Sequence, residues 1–416
     1  MAKKDRRFNA YKTDSYYGFS KEYPEGGKSP DERYNKRVIV GKIFSGIKIF
    51  LAFAFLFTFV YFGVTLMLDV SDLPIATEAP SENEGAVSPS DESTTAAPVV
   101  QQDAVKGVYI QPNQFSTPEA AKQFAEKAVS KGINSVVVDL KKDDGTIVYP
   151  TSVAAANEIN AAQGAKDNFS EILTALREGG LKVIGVINCF NDPLMASEKS
   201  EMAVHYNNTD MLWLDNSREK GGKPWLNPYS QDACNYLTEI IKEAASMPVD
   251  RIILSGVQFP SGYSLDLATY EGEETGESRN QTLVSFIEQA ESAAGEGKII
   301  VSMTGDGAIN GSADLYNGNL LDSGIGYAAP DMRLSQMKNV KLGDKTYANP
   351  SSQAEEFMPL AISQLSQRAK VGGKEVALYP IIEADTLPNA QSTIEILKSN
   401  SIDGYILYNA NGNYGF

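Results

Sequence analysis

The 416-residue chain holds 53 Asp and Glu residues against 37 Lys and Arg residues, which gives it a formal net charge of −16. This excess of negative charge argues against nucleic acid or another polyanion as a partner. One histidine and two cysteines are too few for a zinc cluster. Neither a GxGxxG motif nor a P-loop is present. We therefore expect no cofactor and no metal.

The first 42 residues form a polar tail without a hydrophobic period, which is typical of disorder. Residues 1–48 hold twelve Lys and Arg against six Asp and Glu, a net charge of +6, so the remainder of the chain carries −22. A basic tail of this kind can lie against anionic lipid headgroups. Nucleic-acid binding is the alternative, and the position of the tail beside an apolar segment favours the lipid surface.

That apolar segment predicts a transmembrane helix over residues 43–68. Its centre, residues 49–68, reads IFLAFAFLFTFVYFGVTLML and contains no charged residue. A helix of this length spans the roughly 30 Å hydrocarbon core of a bilayer. Four basic residues precede it between positions 36 and 48, and none follows before Lys106, so the N-terminus is expected in the cytoplasm. A cleaved signal peptide is the alternative, but the preceding segment is too long for one.

Two regions follow the predicted anchor. Residues 69–104 are rich in Pro, Ser, Thr, Ala and Glu and predict a flexible stalk, whereas residues 105–416 have a globular composition. We therefore expect a single-pass membrane protein with its C-terminal domain outside the cell. Cys189 ends a predicted strand and Cys234 lies in a predicted helix, which favours two buried free thiols over a disulfide.

Strand and helix patterns alternate through the globular region. The predicted strands are residues 107–110, 135–140, 182–187, 251–254, 299–303, 324–327, 375–381 and 404–407. The predicted helices are residues 117–131, 169–180, 231–246, 283–294, 353–370 and 387–398.

Eight strands that alternate with helices predict a (β/α)8 TIM-type barrel, and a doubly wound open sheet is the alternative. One feature of the sequence does not fit a regular barrel. Only nine residues follow Leu407, too few for an eighth helix. Either another segment covers that gap or the ring of helices is incomplete there.

In such a barrel the functional residues lie where strands end. Carboxylates and amides hydrogen-bond to hydroxyl groups, and aromatic rings stack on the apolar faces of sugars, so the residues after the predicted strands suit a carbohydrate. Each could equally be a solvated loop residue. The candidate catalytic acids are Asp139, Asp306 and Glu383. The candidate substrate-binding residues are Lys141, Asp143, Asn188, Asp192, Trp225, Asn227, Tyr229, Ser255, Gln258 and Asn409.

The same segments resemble the bacterial "putative glycosyl hydrolase" domain family, uncharacterised TIM barrels distantly similar to amylase-type enzymes. The resemblance runs from Val105 to Tyr414. Its motifs are VKGVYI at 105–110, NSVVVDLKKDDGTIVYPT at 134–151, LKVIGVINCFNDPLMA at 181–196, PWLNPYSQDACNYLTEIIKEAA at 224–245, DRIILSGVQFPSG at 250–262 and DGYILYNANGNY at 403–414. The resemblance implies a barrel and a carbohydrate substrate.

The chain departs from the family pattern at the fourth strand. Family members read like DEIQFDYIRFPSDG there, whereas this chain has Ser255 at the Asp position, Gly256 at the Tyr and Gln258 at the Arg. At the third strand Val186 replaces another family Arg. In amylase-like barrels the strand-four Asp is the usual nucleophile, and serine cannot replace it in a retaining mechanism that needs two carboxyl groups.

Three functions remain open. The first is a membrane-anchored, catalytically degenerate domain that binds cell-envelope polysaccharide, and this is the one we favour. The second is an active glycoside hydrolase that uses other acids. The third is a scaffold protein of the envelope, in which the basic tail is the important part.

Overall fold

The computed structural model describes residues 104–416 except for residues 372–374 and 385. The predicted tail (1–42) and transmembrane helix (43–68) lie outside the described residues, as does the predicted stalk (69–104) apart from its last residue. Within the described part of the chain, no helix combines the length and the apolar composition that crossing a membrane requires.

Parallel strands form the closed centre of the fold. They are β1 (Lys106–Ile110), β2 (Ser135–Lys141), β3 (Lys182–Asn188), β4 (Arg251–Ser255), β5 (Ile299–Thr304), β6 (Tyr327–Asp331), β7 (Ala377–Leu378 and Ile381–Glu383) and β8 (Tyr405–Tyr408). Each pairs with the next along the chain, and β8 pairs with β1 to close the ring. The barrel prediction is confirmed, and the open sheet was wrong.

Helices surround this ring. They are α1 (Pro118–Ser130), α2 (Ala154–Glu158), α3 (Phe169–Glu178), α4 (Pro193–Glu198), α5 (Gln231–Ala245), α6 (Arg279–Ala294), α7 (Gly305–Asn310), α8 (Ala354–Arg368) and α9 (Gln391–Ser399). The start of α1 is as predicted: the Thr117 side chain accepts from the Ala120 amide, and Pro118 takes the first helical position. A capping box between Ser278 and Gln281 begins α6 four residues before the predicted start.

The sixth and seventh strands differ from their predictions. Strand β6 begins at Tyr327, where the predicted strand ended, and continues through Pro330 to Asp331. Proline is rare inside sheets because it lacks the N–H that a ladder needs, so no local pattern favoured a longer strand. The carboxyl end of β6 therefore lies four residues later than predicted. Strand β7 is interrupted between Leu378 and Ile381.

The barrel interior is filled by one inward-facing residue from each strand region: Val105, Val137, Ile184, Ile253, Ile300, Ala329, Tyr379 and Ile406. Below this layer, at the amino ends of the strands, the guanidinium of Arg251 lies 3.9 Å from the centroid of the Tyr327 ring and donates to the Tyr379 hydroxyl at 3.0 Å. Aromatic rings and a guanidinium group therefore fill the base of the barrel interior.

The residues after β8 pack across the junction between β8 and β1. Tyr414 is buried, and its hydroxyl donates to the carbonyl of Leu407 (2.9 Å) or Tyr109 (2.7 Å), which joins β8 to β1. Phe416 stacks on Tyr414, with ring centroids 5.8 Å apart, and reaches Phe124 of α1 at 5.6 Å. A groove of about 480 Å³ remains between this tail and the start of α9.

The two cysteines are free and buried, as predicted. Cys189 directly follows β3 and Cys234 lies in α5, and burial raises the pKa of each thiol to about 12. Both therefore remain protonated and act as small apolar side chains of the core.

Candidate active site at the barrel mouth

A layer of polar side chains lies at the carboxyl end of the barrel. Side chains in a strand alternate between the two faces, so the inward residue that follows the interior layer can be read from the strand positions. It lies two residues beyond the interior residue in β2, β4, β6 and β8, and four residues beyond it in β1, β3, β5 and β7. The resulting set, which we call the mouth layer, is Tyr109, Asp139, Asn188, Ser255, Thr304, Asp331, Glu383 and Tyr408.

Asp139 and Tyr109 form a hydrogen-bonded pair in this layer. The Tyr109 hydroxyl donates to Asp139 Oδ2 across the β1–β2 seam. Burial raises the pKa of Asp139 to about 6, although the bond from Tyr109 and the charge of Lys142 oppose the shift. Burial and the neighbouring carboxylate also raise the pKa of Tyr109, so the phenol stays a donor. Asp139 can therefore gain or lose a proton near neutral pH.

An aromatic and ionic chain continues from Tyr109. Its ring lies 5.1 Å from that of Tyr408, and the guanidinium of Arg333 lies 4.2 Å from the Tyr408 centroid. Arg333 then binds Asp331 through two bonds, Nε to Oδ1 at 2.8 Å and Nη2 to Oδ2 at 2.6 Å. Burial opposes the charge of Arg333, but the bonds and charge of Asp331 outweigh it and raise the arginine pKa. A guanidinium and a carboxylate are thus held together at the mouth.

The three predicted catalytic acids lie in two places. Asp139 and Glu383 both belong to the mouth layer, and Glu383 accepts from the amide of Ser335 at 3.2 Å and from its hydroxyl. Asp306 instead lies on α7 and accepts from Asn310 Nδ2 at 2.7 Å. Asn310 also donates to the Lys341 carbonyl at 2.9 Å, so this face of α7 points towards the outer loops. We therefore do not retain Asp306 as a site residue.

The ends of β3 and β4 place Asn188 opposite Ser255. Asn188 Oδ1 is buried, and no hydrogen-bond donor within the described parts of the chain reaches it. Gly256 follows with a φ of +64°, and a Cβ there would lie 2.7 Å from Asn188 Oδ1. The turn that replaces the family Asp-Tyr pair is therefore packed against an acceptor that needs a partner. Gln258 is half-buried two residues further on.

Lys141 and Asp192 do not reach the mouth. A bulge between Asp139 and Lys141 shifts the register of β2, and both side chains are fully buried in an ion pair at 2.9 Å. Lys141 Nζ also donates to the Asn188 carbonyl at 2.8 Å, and Asp192 Oδ1 accepts from the Met195 amide at 2.9 Å. Their predicted contact with substrate is replaced by a structural role. Asp143 is exposed in the loop after β2.

The predicted sugar-stacking residues also lie elsewhere. Trp225 is only 7% exposed and donates from Nε1 to Asp215 Oδ2 at 3.3 Å. Asn227 is buried, and its Nδ2 donates to the Glu271 carbonyl at 2.8 Å. The Tyr229 hydroxyl donates to the Glu277 carbonyl at 3.0 Å. The polar atoms of these three side chains bond to other loop residues, because the long loop after β3 packs around buried side chains of its own.

Asn409 lies just beyond β8, where its Nδ2 donates to the Asn413 carbonyl at 2.7 Å. That contact shapes the C-terminal tail. Asn409 therefore borders the mouth without belonging to the mouth layer.

Five residues of the site were missed by the sequence analysis: Tyr109, Thr304, Asp331, Arg333 and Tyr408. Tyr109 read as an ordinary strand residue, Thr304 and Tyr408 lay just past predicted strands, and Asp331 lay four residues past the predicted sixth strand. The available signal was the alternation of side chains along the strands, since each strand residue of the mouth layer lies two or four positions beyond an interior residue. Applying it required the inward face of every strand to be known.

The fold and site together define a (β/α)8 barrel with a polar mouth. Residues 107–313 match the model of the family described as "Putative glycosyl hydrolase domain". The resemblance in the motifs is thereby confirmed for this part of the chain. Asp331, Arg333, Glu383 and Tyr408 lie beyond the matched segment.

Solved structures with a similar fold include a hypothetical protein from Ruminiclostridium thermocellum ATCC 27405, which is 27% identical over 47% of this chain and 96% of that chain, with a TM-score of 0.41. The catalytic domain of beta-amylase from Paenibacillus polymyxa is 13% identical over 75% and 95% of the two chains, with a TM-score of 0.46. TtGalA, the alpha-galactosidase from Thermus thermophilus, is 11% identical over 73% and 58%, with a TM-score of 0.42. No curated protein matches the sequence.

Proposed function

We propose that the barrel mouth binds a carbohydrate and lacks the retaining hydrolysis that amylase-type barrels perform. The observation that carries the proposal is the mouth layer, in which polar or aromatic side chains end the strands and strand four contributes a serine. Glycoside-hydrolase-like architecture supports a sugar ligand over other small molecules.

The chemistry of the mouth suits a hydroxyl-rich ligand. Asn188 is half-buried at the end of β3, and its side-chain amide can hydrogen-bond to a sugar hydroxyl. Tyr109 and Tyr408 are half-buried and present both ring surface and hydroxyl groups, a combination that suits the mixed polar and apolar faces of a pyranose.

Two features argue against retaining hydrolysis. The reaction needs a nucleophilic carboxylate about 5–5.5 Å from the acid, and Ser255 stands at the family's nucleophile position. Asp331 is another carboxylate of the mouth layer, but Arg333 donates hydrogen bonds to both of its oxygens. A carboxylate held in this way by a bidentate partner is poorly placed to attack a sugar.

A second candidate function, inverting hydrolysis, is favoured by one observation. Asp139 is half-buried with its pKa raised to about 6, which is the range of a general acid at neutral pH. Glu383 is an exposed carboxylate in the same layer and would serve as the base that activates water in an inverting mechanism.

The proposal extends to location. The apolar run of residues 49–68 and its basic N-terminal flank support an anchor that leaves the barrel outside the cell membrane. A flexible stalk of residues 69–104 would let the mouth search roughly 30–35 Å from the bilayer. The ligand within that distance would be an envelope polysaccharide.

The test uses the full-length chain in detergent, with co-sedimentation on purified cell-wall polysaccharide and a reducing-sugar assay on the same material. We expect retention of the protein without sugar release. Asp139→Asn should weaken retention, whereas Asp306→Asn, which changes an acid outside the mouth, should not. Release of reducing sugar that Asp139→Asn abolishes would establish the second candidate. Absence of retention on every wall fraction would refute the proposal.

A further inference from the structure

Two long loops form a lobe beside the mouth. They comprise residues 199–230, which follow β3 and α4, and residues 256–278, which follow β4. A short antiparallel pair, His205–Tyr206 with Ala268–Thr269, joins them. Both loops leave the carboxyl ends of their strands, so the lobe lies on the mouth side of the barrel.

Asp215 is the centre of the connection between the two loops. Its carboxylate accepts from the Lys223 amide at 2.8 Å and from Trp225 Nε1 at 3.3 Å. Its backbone carbonyl accepts from the Tyr263 amide at 2.8 Å. One residue of the first loop therefore fixes the backbone of the second loop at Tyr263.

The residues on either side of Tyr263 are constrained as well. A Cβ at Gly262 would lie 2.2 Å from the Asp215 carbonyl oxygen, so the close approach requires glycine. Ser264 has a φ of +54°, a strained conformation for a serine, and its carbonyl accepts from Trp213 Nε1 at 3.0 Å. Tyr263 is thus held on a rigid turn that three separate contacts determine.

The Tyr263 side chain is nevertheless 65% exposed. Large apolar side chains are exposed at only five described positions, and Tyr263 and Met211 place two of them on this lobe. A rigid, exposed tyrosine offers a flat ring at little cost in conformational entropy. This differs from Trp225 and Tyr229 of the same lobe, whose polar atoms are committed to internal contacts.

The charge of the lobe limits the kind of ligand. Its two loops contain nine Asp and Glu against four Lys and Arg. An anionic polysaccharide would be repelled there, whereas an uncharged sugar chain would not. The lobe also lies beside strand four, so a ligand that fills the mouth can extend over it only if the chain is several sugars long.

We propose that Tyr263 forms an outer subsite that stacks on one sugar of an uncharged glycan several units long, while the mouth layer binds another sugar of the same chain. This inference rests on the proposed carbohydrate binding at the mouth and specifies its ligand: an uncharged oligosaccharide or polysaccharide rather than a monosaccharide or a polyanion.

The test measures dissociation constants of the full-length protein for uncharged gluco- and N-acetylglucosamine oligosaccharides of two and six units. Tyr263→Ala should weaken binding of the six-unit ligand about tenfold and leave the two-unit ligand unchanged. Tyr263→Phe keeps the ring and should bind as the wild type does. Leu360→Ala removes another exposed apolar side chain, 50% accessible, from α8 and is the control.

The outcomes separate the two proposals. If the wild type binds a six-unit ligand and Tyr263→Ala binds it equally well, the outer subsite is refuted while binding at the mouth stands. A loss that Leu360→Ala reproduces would also refute the subsite. If the wild type binds none of these sugars, both the uncharged-glycan ligand and its outer subsite are refuted.

Discussion

Removal of the buried Lys141 charge is the most direct test of the structural argument. Lys141 and Asp192 are both fully inaccessible to solvent, and their charged atoms lie 2.9 Å apart. Lys141→Met keeps the length and volume of the side chain and removes only its charge and its hydrogen-bond donors. The substitution therefore leaves the Asp192 carboxylate buried without its cationic partner.

The expected cost follows from that geometry. Breaking a buried ion pair by removing one partner destabilises a protein by about 3–5 kcal/mol, because the remaining charge stays desolvated. The Asn188 carbonyl also loses the bond from Lys141 Nζ. The double variant Lys141→Met/Asp192→Asn removes the uncompensated charge and keeps an oxygen to accept from the Met195 amide. It should recover about half of the lost stability.

Urea unfolding followed by tryptophan fluorescence measures this effect, since Trp213 and Trp225 are both buried. Lys122→Met is the matched control, because it breaks the exposed pair with Glu178, whose side chains are 45% and 59% accessible. That control should change stability by less than about 1 kcal/mol. If Lys141→Met costs no more than Lys122→Met, or if the double variant is no more stable than the single one, the interpretation of the pair is wrong.

Three further substitutions test the mouth. The folded pKa of Asp139, about 6, lies above its ordinary 3.8, so ionisation opposes folding: the wild type should lose up to about 3 kcal/mol relative to Asp139→Asn as pH rises from 4 to 7. If the free energies of unfolding of the two proteins change equally between pH 4 and 7, this prediction is wrong. Gly256→Ala should cost about 1–2 kcal/mol, because its Cβ meets Asn188 at a left-handed φ; an unchanged urea midpoint would count against the close contact. Tyr414→Phe should lower the free energy of unfolding by about 1–3 kcal/mol, because the amides of Tyr109 and Asn409 lose their acceptor. Differential scanning calorimetry measures this, and an unchanged melting temperature would disprove it.

Much of the fold was predictable from local pattern. The alternation of strands and helices gave the barrel, and the Thr117-Pro118 pair gave the start of α1. These features depend on neighbouring residues along the chain, where turn chemistry and hydrophobic period act directly.

The candidate site was harder to predict because it depends on which side of each strand faces inward. A one-residue bulge turned Lys141 away from the mouth and into contact with Asp192. Pro330 concealed the end of β6, and with it Asp331. The aromatic residues after β3 were assigned to a ligand because nothing in the sequence distinguished a loop with its own buried core from an open one.

By itself the sequence determined the class of fold and the family resemblance, whereas the membrane anchor over residues 43–68 stays a prediction. Only the tertiary structure decided which polar residues share the mouth. Ring closure brings β1 beside β8, residues about 300 positions apart, so that Tyr109, Tyr408 and Arg333 come into contact. No local pattern records such a contact, because it arises from the curvature of the whole sheet and not from the residues next to it in the chain.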